Sequence, residues 1–349
     1  MALLFMDSFD HYATADITEK WTSQSTYDRT IASGGRNGTN CLKFTGAGWV
    51  SITCLGGVTE AIVGAAIKVT SFSGGCAVVE FGSASTWECG LRVLADGTLQ
   101  PFVVTNAQHE AGFNTNTALV GSPSGVALQG GVWAYLEVKM KCDESTGTCI
   151  VRKDGIEILN LTGLDTLFSS AVLTRVGLGC YNGNLNAFDD LVVMDTTGAR
   201  NNAFLGDVTI GCLYPDADGN SHAWVLSTGT PDNNEDYLCI DEALVNDDTD
   251  YISTNVLNAK STFSMEDVAA GANIKAIQIV SAVRKGAEGP GKIKHVVRSN
   301  STDYDLTEQG IGGTSYAFLR SIVEVDPATS AAWDEAGFNA VEIGVKKTG

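Results

Sequence analysis

The chain has 349 residues, 44% of them hydrophobic, with 39 Gly and only 6 Pro. That is enough apolar matter for a sizeable core and for two domains, and it excludes a disordered chain. Asp and Glu number 41 against 22 Lys and Arg, a formal charge of −19 that disfavours nucleic-acid binding along a basic face.

Leu3-Leu4-Phe5-Met6-Asp7-Ser8-Phe9-Asp10 opens the chain as a short apolar run with a Phe-Asp step, and reads as a strand. Cys41–Phe44, Trp49–Cys54 and Ala61–Val69 follow as strand candidates punctuated by Gly56, Gly57 and Gly64. Ala77–Gly82 and Glu88–Leu94 come next. Asp96-Gly97 then predicts a tight hairpin turn into Leu99–Val104. In Trp133–Cys142 the residues Leu136, Val138, Met140 and Cys142 share one face, and Tyr135, Glu137, Lys139 and Lys141 the other. That alternation predicts a strand with a dry side and a wet side. Thr148–Lys153, the turn Asp154-Gly155 and Ile156–Leu159 complete a three-stranded meander over 133–159. Val176–Tyr181 and Ala187-Phe188-Asp189-Asp190-Leu191-Val192-Val193-Met194-Asp195 close the unit, the last repeating the Phe-Asp step.

The small polar stretch 196–206 marks a boundary, giving one domain over 1–198 and a β-rich module over 199–349. The second module is predicted to begin with a strand at Asp207–Tyr214. Further strands are predicted at Ile274–Val283, Ile293–Val297, Tyr316–Val325 and Ala340–Lys346, with one helical hint at Ala331–Ala336. The fold class is therefore all-β, a sandwich whose first and last strands lie side by side, followed by a second β module.

No basic segment precedes an apolar core and cleavage site, so the sequence predicts synthesis in a cytoplasm without a signal peptide. The longest apolar run, Ala61–Ile67, is far too short to cross a membrane. The glycosylation-type triplets at Asn37, Asn160 and Asn300 then read as chance matches. Nine Cys form no Cys-x-x-Cys pair and are expected as free, mostly buried thiols. Cys142 and Cys149 flank a turn, and a disulfide there would stabilise by roughly 2–3 kcal/mol.

A sandwich that cleaves glycans needs two carboxylates converging on one cleft, as in Glu-x-Asp-x-x-Glu. That pattern is absent. Asp236 and Asp241 are five apart and would point to opposite faces of a strand. The four His (11, 109, 222, 295) form no local metal or triad motif, and no Gly-x-Ser-x-Gly or Gly-Lys-Ser/Thr occurs. No catalytic, cofactor or metal residue is therefore assigned, and the chain is expected not to be an enzyme. Asp216-Ala217-Asp218-Gly219-Asn220 is similar to the opening of a calcium loop, but the twelfth position is Ser227, so a turn is the expected reading. Trp21, Trp49, Trp87, Trp133, Trp224 and Trp333 are assigned to the core rather than to a sugar platform.

Residues 1–198 resemble the LamG-like, concanavalin A-like jelly-roll domains of tailed-bacteriophage virion proteins. The resemblance is carried by Phe9-Asp10-His11-Tyr12, Trp133–Val138, Gly147–Gly155 with Leu161–Thr166, and Phe188-Asp189-Asp190-Leu191. Residues 205–349 resemble the module that follows in such proteins, through Gly206-Asp207-Val208, Asp248–Ile252, Asp326–Thr329 with Trp333, and Glu342–Lys346. The resemblance implies a structural virion component of a tail, neck, fibre or capsid decoration, present in several copies. Its partners would be sister copies and other virion proteins, with no membrane insertion. The alternative is an adhesin that recognises host glycans. Asp10, Asp189 and Asp190 are expected to be structural residues at strand ends.

Overall fold

The computed structural model describes residues 2–25, 29–72, 75–109, 115–180, 186–226, 235–287 and 289–349. Tyr181 and Ser227, both named above, lie outside them. The chain divides into two compact units, Met1–Ile210 and Gly211–Gly349.

The first unit contains β1 (Leu3–Asp7), the short helix α1 (Ile17–Lys20), β2 (Ser23–Gln24), β3 (Arg29–Ser33), β4 (Asn40–Phe44), β5 (Gly48–Val58), β6 (Glu60–Lys68) and β7 (Cys76–Gly82). It continues with β8 (Trp87–Val93), β9 (Leu99–Val104), β10 (Thr117–Leu119), β11 (Ala134–Lys141), β12 (Gly147–Lys153), β13 (Ile156–Leu164), β14 (Leu173–Cys180) and β15 (Ala187–Asp195). Two antiparallel sheets result. One runs β13-β12-β11-β6-β15-β4-β3 with β1 added on β15, and the other runs β10-β9-β8-β7-β14-β5-β2. Their facing sides form the core: Leu136, Val138 and Met140 pair with Ala65, Val63 and Ala61 on one sheet. Val176 and Leu178 sit between Ile52 and Val50 on one side and Phe81 and Val79 on the other. This is a jelly-roll β-sandwich of the concanavalin A-like kind: the strand pattern predicts the sandwich, and the resemblance implies its kind.

The tight turns fall where the sequence places them. Gly97 and Gly155 both take positive φ, and Asp96 accepts the Thr98 N–H at 2.9 Å. Two details depart from expectation. Tyr135 and Glu137, on the predicted wet side of β11, are each only 1% exposed. The reason is the segment 199–210, which folds back over that face instead of opening the second module. Phe204 lies under the Arg152 guanidinium (4.5 Å to the ring centre), Gly206 N–H donates to Glu137 at 3.0 Å, and Ile210 N–H donates to Asp190 at 2.7 Å. Asp207 and the Val208 carbonyl accept from Arg36, so the strand expected from Asp207 does not form.

The edge of β15 is shared between two neighbours. Ala187 and Phe188 pair with β4, whereas Leu191–Met194 pair with β1. The changeover is the Asp189-Asp190 step, where Asp190 has φ 49°. The other Phe-Asp step is its counterpart, with Phe9 at φ 62° where β1 ends. Each carboxylate here holds a backbone N–H: Asp10 that of Asn40, Asp189 that of Arg36 and Asp190 that of Ile210, all at 2.7 Å. Their placement agrees with the expected structural role.

All nine Cys are free thiols. The hairpin register sets Cys149 opposite Met140 and Lys141 opposite Thr148, so Cys142 and Cys149 are offset rather than directly opposed. Cys142 Sγ–H instead donates to the Thr166 carbonyl at 3.3 Å, and burial pushes the Cys149 thiol up to about 12.

The second unit contains β16 (Pro215–His222), β17 (Val225–Leu226), β18 (Ile252–Ser253), β19 (Lys260–Met265), β20 (Ile277–Val283), β21 (Lys292–Ser299), β22 (Thr302–Asp305), β23 (Gln309–Gly310), β24 (Ala317–Val323), α2 (Glu335–Asn339) and β25 (Glu342–Lys347). A sheet β16-β19-β25-β21-β22, with β23 on β21, carries most of these strands. The β20–β24 pair packs on it through Ile279, Val297, Val323, Trp333, Phe338 and Val341. The helical hint is real: Asp334 caps α2, accepting the Gly337 N–H at 2.6 Å.

Candidate functional site

In the first unit, strand alternation turns one set of side chains of the seven-stranded sheet away from the core. Register identifies them. One row runs Phe102, Gly90, Glu80, Gly177, Ser51 and Ser23 across β9, β8, β7, β14, β5 and β2. A neighbouring row places Arg175 between Gly82 and Thr53, and another sets Gln100, Arg92 and Ala77 side by side.

The glycines shape this face. A Cβ on Gly90 would stand 2.7 Å from the Phe102 ring, and one on Gly177 would stand 2.7 Å from the Trp87 ring. Two aromatic rings can therefore lie close against the sheet on either side of Glu80. Ala77, Trp87, Phe102 and Val104 form an apolar cluster there, with the partly buried Trp49 and Phe168 against it. Trp87 is thus buried in a core cluster, as expected, and Trp49 packs partly buried against it, both on the opposite side of this sheet from the inter-sheet core. The loop carrying Phe168 is held by Glu88, whose carboxylate accepts the N–H groups of Phe168, Ser169 and Ser170 and the hydroxyls of Thr86 and Ser169. Burial opposes ionisation of Glu88, but those hydrogen bonds, led by Thr86, outweigh it and hold the carboxyl below its usual range.

Charged groups complete the face. His109 Nε2 is 2.8 Å from Glu80 Oε2, both side chains being buried, and His109 Nδ1 lies 2.8 Å from the Thr115 carbonyl. Burial works against protonation of His109, yet the Glu80 carboxylate outweighs it and raises the imidazole above its ordinary value. The Arg92 guanidinium stacks on Phe102 at 5.4 Å and bonds Thr117. That of Arg175 stacks on Trp87 at 4.2 Å. Burial lowers the pKa of both arginines, neighbouring carboxylates opposing it.

The other His residues are placed differently. His11 is 2.8 Å from Lys20 Nζ beside the buried Lys20–Asp7 pair, and burial followed by the Lys20 charge lowers it to about 3. His295, lowered by burial to about 4, joins Ser281 and Ser321 of the β20–β24 pair to β21. Asp218, His222 and Asp236 bring ligand-type atoms within 4.8 Å of one another. Asp216 is not among them. Both oxygens of Asp218 accept backbone N–H groups, from Asp236 at 3.1 Å and Tyr237 at 3.0 Å, so this carboxylate anchors the turn 236–239. Among the described residues, no helix is long and apolar enough to cross a membrane.

No protein-family model and no curated protein sequence matches the chain. Solved structures match the fold. An endo-β-1,4-glucuronan lyase from the fungus Trichoderma reesei has TM-score 0.38 and 14% identity, covering 54% of this chain and 94% of that one. A GH16 protein of the Bacteroides ovatus mixed linkage glucan locus, in complex with its product, has TM-score 0.36 and 12% identity over 55% and 99%. Domain 4 of AbnA, a GH43 arabinanase from Geobacillus stearothermophilus in complex with arabinotriose, has TM-score 0.33 and 13% identity over 54% and 93%. At such identities the likeness concerns fold alone. The expectation that the chain is not an enzyme is corrected to this extent: a lyase and glycosyl hydrolases stand among these structures, so the fold does not exclude catalysis. The carboxylate motif reads one contiguous segment, whereas the charged groups of this face, Glu80, Arg92, His109 and Arg175, come from separate elements.

Proposed function

We propose that the chain is a carbohydrate-binding protein, an adhesin whose first unit holds a glycan against the outer face of the seven-stranded sheet. The carrying observation is the composition of that face: the partly buried Trp49 and Phe168 leave apolar surface over the buried Trp87 and Phe102, with the partly exposed Arg175 and Arg92 beside them. A sugar presents the complementary pattern, an apolar ring face edged by hydroxyls, which suits flat rings rimmed by hydrogen-bonding groups. The virion role implied by the sequence resemblance rests on those segments alone, and none of the solved structures named above is a virion protein.

The test is a glycan array probed with the full chain, read with and without Trp87→Ala. Retention of a defined set of glycans, weakened by the substitution, supports the reading. Retention of none overturns it. A second reading, glycan cleavage, is favoured by the Glu80–His109 pair, a carboxylate and an imidazole 2.8 Å apart and able to share a proton. New reducing ends after incubation with a retained glycan would select it over binding alone.

A further inference from the structure

Arg175 is the feature that the fold itself leaves unexplained. Its side chain is half-buried and stacked on Trp87, and its Nε is buried against Gly82 with no hydrogen-bond partner. Among the described residues it makes no hydrogen bond or ion pair. A guanidinium carries five N–H donors, and partly desolvating them without an acceptor is unfavourable. The nearby carboxylates are engaged: Glu88 with the loop 168–170 and Thr86, Glu80 with His109. Stacking on the indole also holds the planar fork in one orientation, so little freedom is lost when an acceptor arrives.

Building on the glycan reading, we propose that the face selects an acidic glycan, and that Arg175 takes the carboxylate of a uronic acid residue. A planar carboxylate meets the fork bidentately, in the same layer as the guanidinium above Trp87. The sugar ring that carries it then lies along the apolar surface of Trp49 and Phe168. A net charge of −19 gives no general attraction for an anion, so the recognition is local to the arginines.

Arg92 supplies a second cation at a distance. Arg92 stands opposite Ala77 and Arg175 opposite Gly82, on either flank of β7. That separation is roughly 16–17 Å along the strand at ~3.3 Å per residue. One monosaccharide cannot reach both, so the ligand is an oligosaccharide with uronates some residues apart.

The experiment titrates the full chain with a galacturonic acid trisaccharide, with the same trisaccharide whose carboxyls have been reduced to alcohols, and with a sulfated neutral trisaccharide. Arg175→Met is compared, since it keeps an apolar stem on Trp87 and removes the fork, with its melting curve taken to establish folding. The expected result is binding of the acidic form at least about tenfold tighter than of the reduced form, the scale of a charge-assisted hydrogen bond. Arg175→Met is expected to lose most of that preference, Arg92 keeping the remainder.

Equal binding of acidic and reduced forms by the unsubstituted chain overturns the acidic preference while leaving a glycan-binding face. A preference for the sulfated sugar over the uronate overturns the choice of ligand. An acidic preference undiminished in a folded Arg175→Met overturns the assignment to Arg175. If the array retains nothing, the glycan reading fails and this inference fails with it.

Discussion

Gly177 shows how much of this molecule depends on the absence of a single methyl group. Gly177→Ala would place a Cβ 2.7 Å from the Trp87 ring, and the ring carries the Arg175 guanidinium. The expected outcome is a loss of roughly 1–3 kcal/mol in denaturant unfolding, the usual penalty of overpacking, together with weakened glycan retention. Asp189 makes a different kind of prediction. Burial, then the Asp190 charge, raises its carboxyl from 3.8 to about 7 against the pull of its hydrogen bonds. The folded state therefore favours the protonated form. This contribution is complete below 3.8 and is lost as pH climbs through about 7. Asp189→Asn should flatten the decline of the melting temperature across that interval, measured against the unsubstituted chain. A structural role for Asp189 was legible beforehand; that of Gly177 was not. Gly177 looks like any strand glycine until Trp87 is laid over it, and Glu80 and His109 are 29 residues apart on different elements.

At the level of elements, local turn chemistry was readable and long-range covering was not. Asp96-Gly97 and Asp154-Gly155 announce their hairpins because left-handed backbone conformations have few other tenants. The segment 199–210 reads as a spacer because small polar residues dominate it, yet it is a strap. Its grip depends on Arg36, whose Nε is 3.0 Å from Asp190 Oδ2 while its other nitrogens hold Asp207, Val208 and Thr209. Removing Arg36 leaves the Asp190 carboxylate buried and uncompensated. Arg36→Ala is expected to destabilise the first unit by about 3–5 kcal/mol and to open 199–210 to limited proteolysis. Cleavage rates unchanged from those of the unsubstituted chain would contradict the strap.

At the level of the whole chain, the two units have separate cores, and their unfolding should be separable. The second unit's core is the smaller, gathered around Trp333, whose Nε1–H donates to the Val323 carbonyl at 3.0 Å and whose ring meets Phe338 edge-on. Trp333→Ala is expected to cost about 3–5 kcal/mol and to lower one calorimetric transition while leaving the other in place. A uniform shift of both would mean that the units melt together. The all-β character and the existence of a second module followed from composition and alternation. The first unit ends at Ile210, twelve residues beyond the 198 that composition indicates, because the strap's partners lie on a sheet visible only once folded.

The sharing of β15 between β4 and β1 has a mechanical consequence. Leu3 pairs with Met194, Asp7 pairs with Leu191, and the Asp195 N–H donates to the Ala2 carbonyl at 2.9 Å, so the start of β1 and the end of β15 lie together at one end of an antiparallel ladder. Tension applied between those ends opens the ladder like a zipper, one hydrogen bond at a time, at low force. Tension entering through the outer face of the seven-stranded sheet meets instead the interlocked interior of that sheet. On the proposed adhesin reading, the direction of pull would decide whether the molecule peels or grips.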